Sequence, residues 1–162
     1  MAVAAHILAA VDHLNLRYIQ ALDDLSMEGW LNSFSPAADS AYVCISEEND
    51  RRGLPLALML DDCRARLEDR VTFVTKIWAG TFQPYRTRHF VQRLACEARE
   101  EGLCQAVSNF SVTLIQEDGT ARLLTTGVYQ DVISLTEAGA FIKTRRAVYD
   151  ANVLPQYFVY PI

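Results

Sequence analysis

From Tyr85 to Ala151 apolar and polar residues alternate with a period of two, over stretches too long to lie flat in a chain of 162 residues. Between Cys104 and Leu114 the positions Cys104, Ala106, Phe110, Val112 and Leu114 alternate with Gln105, Asn109, Ser111 and Thr113. The Asp-Gly pair within Glu117–Thr120 is a strong hairpin signal and predicts a following strand over Arg122–Ile133. A turn at Glu137-Ala138-Gly139 leads to a further strand from Phe141 to Ala151. Arg88–Arg99 fits two periods, because Phe90, Val91, Leu94, Ala95 and Ala98 also make a helical stripe; the Glu101-Gly102 turn into the next strand decides for strand. Four antiparallel strands of about a dozen residues would each run ~40 Å at 3.3 Å per residue. A domain of this size is narrower, so the strands must coil and leave a hollow face that needs covering.

The first half supplies the cover. Ile7, Val11, Leu14, Tyr18, Leu22 and Leu25 form one apolar helical stripe, with Leu8 and Ile19 beside it and His13, Arg17, Gln20 and Asp24 elsewhere. Met27, Trp30, Leu31 and Phe34 predict a second helix, capped by Asp24 or Ser26 and closed before Pro36. Ala41–Ser46 reads as a strand and Leu54–Leu60 as its partner, joined by the polar loop EENDRRG. Asp61 and Asp62 open a third helix, in which Cys63, Leu67, Val71 and Val74 face one way. The architecture that follows is α+β: a cone-like, curved antiparallel sheet packed on N-terminal helices, one domain over residues 1–162.

Net charge is −5 with basic residues scattered among acids, which argues against nucleic acid as a partner. No apolar run approaches the roughly 20 residues of a membrane span. The opening MAVAAHILAAVDHLNLRY has no basic segment before its apolar stretch and reads as the first helix, so the chain is expected in the cytoplasm. Cys44, Cys63, Cys96 and Cys104 include no Cys-x-x-Cys pair and are expected as free thiols.

Catalytic chemistry is sparse. His6 and His13 are seven residues apart on one helix, beyond shared-metal spacing, and read as surface residues. His89, between Arg88 and Phe90 and near Arg86, suits a polar contact inside the domain or to a partner. There is no Cys-x-His element for a Rieske cluster, and three scattered histidines do not make a mononuclear iron site. The glycines are isolated and no Gly-x-Ser-x-Gly elbow occurs. The acid pairs Asp23-Asp24, Glu47-Glu48 and Asp61-Asp62 are explained by helix capping or loop solvation. No residue of this chain is singled out as catalytic, cofactor-binding or metal-ligating.

Four segments, taken in order, resemble one family. LNLRYIQALDD, YVCISEENDRRGLPLALMLDDCRARLEDRVTFV, PYRTRHFVQRL and IKTRRAVYDANVLPQYFVYPI are similar to β subunits of aromatic-ring-hydroxylating dioxygenases, the Rieske non-haem iron oxygenases. The closing segment also resembles small subunits of salicylate 5-hydroxylase, a three-component monooxygenase. The resemblance implies a cone-like fold shared with scytalone dehydratase and ketosteroid isomerase. It also implies a non-catalytic small subunit that acts in degradation of aromatic compounds, as a β trimer beneath three catalytic α subunits. Those α subunits would carry the Rieske [2Fe–2S] cluster and the mononuclear Fe(II). One departure is Gln92-Arg93, where many relatives have Ser-Asn. A cofactor-independent lyase or isomerase of the same fold is the alternative. The uncharged tail, with Leu154, Tyr157, Phe158, Val159, Tyr160 and Ile162, packs either on its own domain or on a partner. Arg86, Arg88, Arg145 and Arg146 lie near strand ends, where they suit pairing with a partner's carboxylates. The isolated chain is expected to bind no iron and to be colourless. Metal analysis and an absorption spectrum check this, and stoichiometric iron with iron–sulfur bands would refute it.

Overall fold

The computed structural model describes residues 3–155 and 158–162. Tyr157 of the apolar tail lies outside the described residues. Four long strands follow one another as antiparallel neighbours: β3 (Tyr85–Ala98), β4 (Leu103–Gln116), β5 (Ala121–Thr136) and β6 (Gly139–Tyr149). Arg88–Arg99 is therefore strand, as the Glu101-Gly102 turn requires; Glu101 and Gly102 both take left-handed backbone, at φ 59° and 71°.

The curvature has identifiable joints. Each neighbouring pair carries a register shift, between Arg93 and Ala95 on β3, between Val112 and Thr113 on β4, and between Val132 and Ile133 on β5. An extra residue on one strand of a pair bends it and increases its twist. Three such points in adjacent ladders close the sheet towards a cone.

Helix α1 (Ala5–Asp23) lies against the concave face through Val11, Leu14, Asn15, Tyr18, Ala21 and Leu22. A left-handed Leu25 (φ 57°) turns the chain into α2 (Met27–Leu31). Ser26, not Asp24, caps α2, its hydroxyl accepting from the Gly29 N–H at 3.1 Å. The helix ends at Leu31, before the stripe does, and Phe34 packs from an isolated bridge to Ile142.

The hairpin of β1 (Ala41–Ser46) and β2 (Ala57–Asp61) extends the sheet, giving the order β2-β1-β6-β5-β4-β3. Here several details depart from the sequence reading. The sheet is mixed, because β1 runs parallel to β6. The predicted loop EENDRRG folds as a short helix, α3 (Glu47–Arg51), because the Ser46 hydroxyl accepts from the Asn49 N–H at 3.2 Å and Glu47 and Glu48 pair with Arg51 and Arg52 one turn on. β2 starts three residues later than expected, beyond Pro55, which has no N–H for a ladder. Asp61 ends β2 instead of opening the next helix, and α4 (Arg64–Thr72) begins after Cys63, running on into a π-helical turn at Phe73–Ile77. Among the described residues no helix is long and apolar enough to cross a membrane.

Gly127 shows how tightly the sheet and its filling meet. A Cβ there would stand 2.2 Å from the Val148 carbonyl oxygen and 2.5 Å from Cζ of Phe110, whose ring stacks on Tyr129 at 4.4 Å between centroids. Neither the ladder nor the stacked ring can yield. Gly127→Ala is expected to destabilise by roughly 1–3 kcal/mol through overpacking. A urea melt should show a lower midpoint with unchanged slope.

Candidate functional site

The hollow of the cone is the place where a fold of this shape could hold chemistry. Arg145 points into it from β6, opposite Asp131 on β5 in the strand register. The pair is bidentate: Nε donates to Oδ1 at 2.9 Å and Nη2 to Oδ2 at 2.7 Å, with both side chains wholly shielded from solvent. Nη2 also donates to Oδ1 of Asn15 on α1 at 2.6 Å, and Asn15 Nδ2 reaches the Ser108 hydroxyl at 3.4 Å. The guanidinium lies between the rings of Tyr18 and Tyr129, 4.1 Å from each centroid.

Trp30, Phe34 and Tyr42 complete the interior, with Trp30 5.0 Å from Phe34 and 5.6 Å from Tyr42, edge to face. Burial pushes the Tyr18 hydroxyl up to about 12 and holds Tyr42 and Tyr129 well above their usual value. Burial opposes the charge on Arg145, yet the attraction and hydrogen bonds of Asp131 outweigh it and raise its pKa. At neutral pH the hydroxyls are donors and the guanidinium is a fixed cation. The arrangement can hold charge and orient an acceptor; its one carboxylate is already taken by Arg145.

A second polar cluster joins α1 to β3. Oδ1 of Asp23 is 2.6 Å from Nδ1 of His89, and Asp23 also accepts from the His89 N–H at 3.1 Å and from Thr87 Oγ1 at 3.2 Å. His89 thus makes its polar contact inside the domain, with its Nε2 buried and unpaired among the described residues. His6 and His13 are exposed on α1.

The acid pairs were expected to cap helices or lie in solvent, and two of the three correct that expectation. Asp23 is used by His89, and Asp61 is held bidentately by Arg70, with side chains 6% and 14% exposed. Adjacent residues point in different directions, so Asp24 and Asp62 remain exposed. Glu47 and Glu48 make the surface pairs already described.

Arginine usage also differs from the sequence reading. Arg145 is internal, and Arg146 pairs with Asp50. Arg86 and Arg88 are exposed on the outer face of the sheet. Beside them Phe90 and Leu94 are 61% and 54% exposed, next to a groove of about 490 Å³ lined by Phe90, Gln92, Asn109, Ser111 and Val128. Of the departing pair, Gln92 faces this groove and Arg93 is bound to Asp12 at 2.6 and 3.0 Å. The tail packs on its own domain, with Ile162 fully buried.

The sequence reading missed Asn15, Asp131 and Tyr129. A signal existed for Asp131: it shares the inward phase of β5 with Tyr129 and Ile133, where a charge requires a partner, and Arg145 holds the matching phase of β6.

The fold is that of cone-like α+β domains. It is shared with ActVI-ORFA of Streptomyces coelicolor at 17% identity and TM-score 0.67, over 90% of this chain and 98% of that one. The model of the family described as ring hydroxylating beta subunit matches residues 17–156, and the chain belongs to that family of small subunits of aromatic-ring hydroxylases. It is similar to a structure assigned as the β subunit of an aromatic-ring-hydroxylating dioxygenase from Novosphingobium aromaticivorans, at 29% identity, 95% coverage of each chain and TM-score 0.83. The β subunit of benzoate 1,2-dioxygenase from Burkholderia mallei matches at 20% identity, 93% coverage of each chain and TM-score 0.73. No curated protein sequence matches.

Removing one member of the buried pair strands the other. Arg145→Met is expected to cost roughly 3–5 kcal/mol. Adding Asp131→Leu should restore most of that loss. Denaturant melts of the single and double variants measure the coupling, and additive losses would show that the pair is not a unit.

Proposed function

We propose that this chain, one domain over residues 1–162, is a non-catalytic subunit of a cytoplasmic multicomponent hydroxylase. It forms a trimer that holds large α subunits in an α3β3 hexamer, and those subunits carry the Rieske [2Fe–2S] cluster and the mononuclear Fe(II). The observation that carries this reading is the content of the hollow. Where a cone-like fold has room for a substrate, Arg145, Asp131, Tyr18, Trp30, Tyr42 and Tyr129 are packed at 4% exposure or less. A lyase or isomerase would need an acid or base open to a substrate there; Asp131 is neutralised by Arg145, and His89, held by Asp23, is buried.

The donors of this chain do not suit either iron site. A Rieske cluster takes two Cys and two His. His6 and His13 lie exposed on α1, His89 is engaged by Asp23, and among the described residues no three His, Cys, Asp or Glu converge to hold a metal. The outer face is suited to a partner instead. Exposed Arg86 and Arg88, the latter 4.0 Å from Asp23, precede apolar Phe90 in the outward phase of β3, and arginine beside an aromatic is the composition enriched at protein interfaces. The likeness of the closing segment to salicylate 5-hydroxylase small subunits makes salicylate the substrate to assay first.

Changing Arg86→Ala together with Arg88→Ala in the assembled complex is expected to lower hydroxylase activity by loosening it. Size-exclusion chromatography with light scattering should show smaller species, while the α subunit keeps its iron–sulfur spectrum. Full assembly with lost turnover would mean that the chain contributes to catalysis directly.

A further inference from the structure

Residues 158–162 enter the fold without joining a helix or a strand. Val159, Pro161 and Ile162 are buried. The N–H groups of Val159 and Tyr160 both donate to the Tyr85 hydroxyl at 2.9 Å. Further in, the Tyr18 and Tyr42 hydroxyls converge on a single Ile162 oxygen at 2.7 and 3.1 Å, and the Ile162 N–H donates to the Tyr42 hydroxyl at 3.0 Å. A backbone oxygen carried this deep needs donors, and side chains of α1 and β1 supply them. Two hydroxyls from separate elements aimed at one oxygen, within apolar aromatic walls, is the arrangement by which a pocket fixes a ligand.

The same interior holds further donors. Trp30 Nε1 and the Tyr129 hydroxyl are buried without a partner among the described residues. Buried polar groups are otherwise almost always paired, so the interior has more hydrogen-bonding capacity than the tail uses. Asp131 balances the charge of Arg145, whose Nη1 is a further buried donor without a partner among the described residues, so recognition rests on hydroxyl, indole and guanidinium donors and on shape.

We propose that the hollow is a binding site for an acceptor oxygen, carbonyl or carboxylate, on an apolar body, and that residues 158–162 are its built-in occupant. The inference rests on the reading of the hollow as filled by this chain's own residues, and because the site faces inward, away from Arg86, Arg88 and Phe90, its test is separate from the test of assembly.

In the full chain assembled with its large subunit, Tyr18→Phe with Tyr42→Phe removes both donors and keeps both rings. The Val159, Tyr160 and Ile162 amides should then exchange with deuterated water roughly tenfold faster than in the unaltered protein, as lost hydrogen bonds raise the population of the released state. An unchanged exchange rate overturns the proposal. A chain ended after Tyr157 provides the complementary measurement. Its melting temperature should fall and should rise saturably on adding the peptide Phe-Val-Tyr-Pro-Ile, which leaves the intact chain unmoved. Acetophenone and benzoate, added separately, show whether the site prefers a neutral or a charged acceptor. A shortened chain that ignores the peptide and both small molecules overturns the proposal, and if that chain does not fold the exchange rate decides alone.

Discussion

A guanidinium cut off from solvent lies where α1, β5 and β6 meet, and the neighbouring parts are arranged to keep it charged. Asp131 neutralises it from the adjacent strand, Asn15 binds it from the helix, and Tyr18 and Tyr129 cover its two faces. A well-packed apolar cluster can be as stable as such a pair, so net stability does not explain it. Position does. Arg145 and Asp131 are register partners, and a slip of one residue would turn one of them outward and leave the other buried without its partner. The register shift between Val132 and Ile133 follows directly, so the pair fixes the ladder just before the strand bends. Through Asn15 and Tyr18 the same guanidinium sets where α1 lies across the hollow.

Much of this architecture was legible in the residues because period and turn chemistry act locally. Asp118-Gly119 and Glu101-Gly102 reverse the chain where they stand, and the stripe of α1 predicts its buried face apart from Asn15 and Ala21, with Leu25 falling outside the helix. What was not legible depends on residues distant in sequence. Nothing near Ala41 announces that β1 will run parallel to a strand a hundred residues later, and the helix in EENDRRG depends on one serine hydroxyl. The candidate site divides in the same way. His89 could be marked as a polar anchor from its setting, but its partner Asp23 was hidden in a pair that looked like a cap. Arg145 and Arg146 looked alike on paper, and only the pleat separates a buried ion from a surface one.

The inward-facing carboxylates of this domain are thus committed to structure. Asp23, Asp61 and Asp131 each hold a specific cation or imidazole within the fold, and each connects two elements: α1 to β3, β2 to α4, and β5 to β6. A fold whose relatives include proteins of other kinds can serve as a subunit once its interior is filled and its exterior carries the recognition.

The place of β6 has a consequence for how the molecule comes into being. It follows the other five strands in the chain, yet sits in the middle of the sheet, between β1 and β5. The hairpin of β1 and β2 therefore has no further strand to pair with until β6 has been made. On the ribosome the amino-terminal third waits, with its edge open, while β3, β4 and β5 zip up by nearest-neighbour pairing. Closing the parallel ladder between Ala41 and Thr144 spans most of the chain, and contacts of such sequence separation are the slow ones. The last-made strand is the one that turns two separate pieces into a continuous sheet.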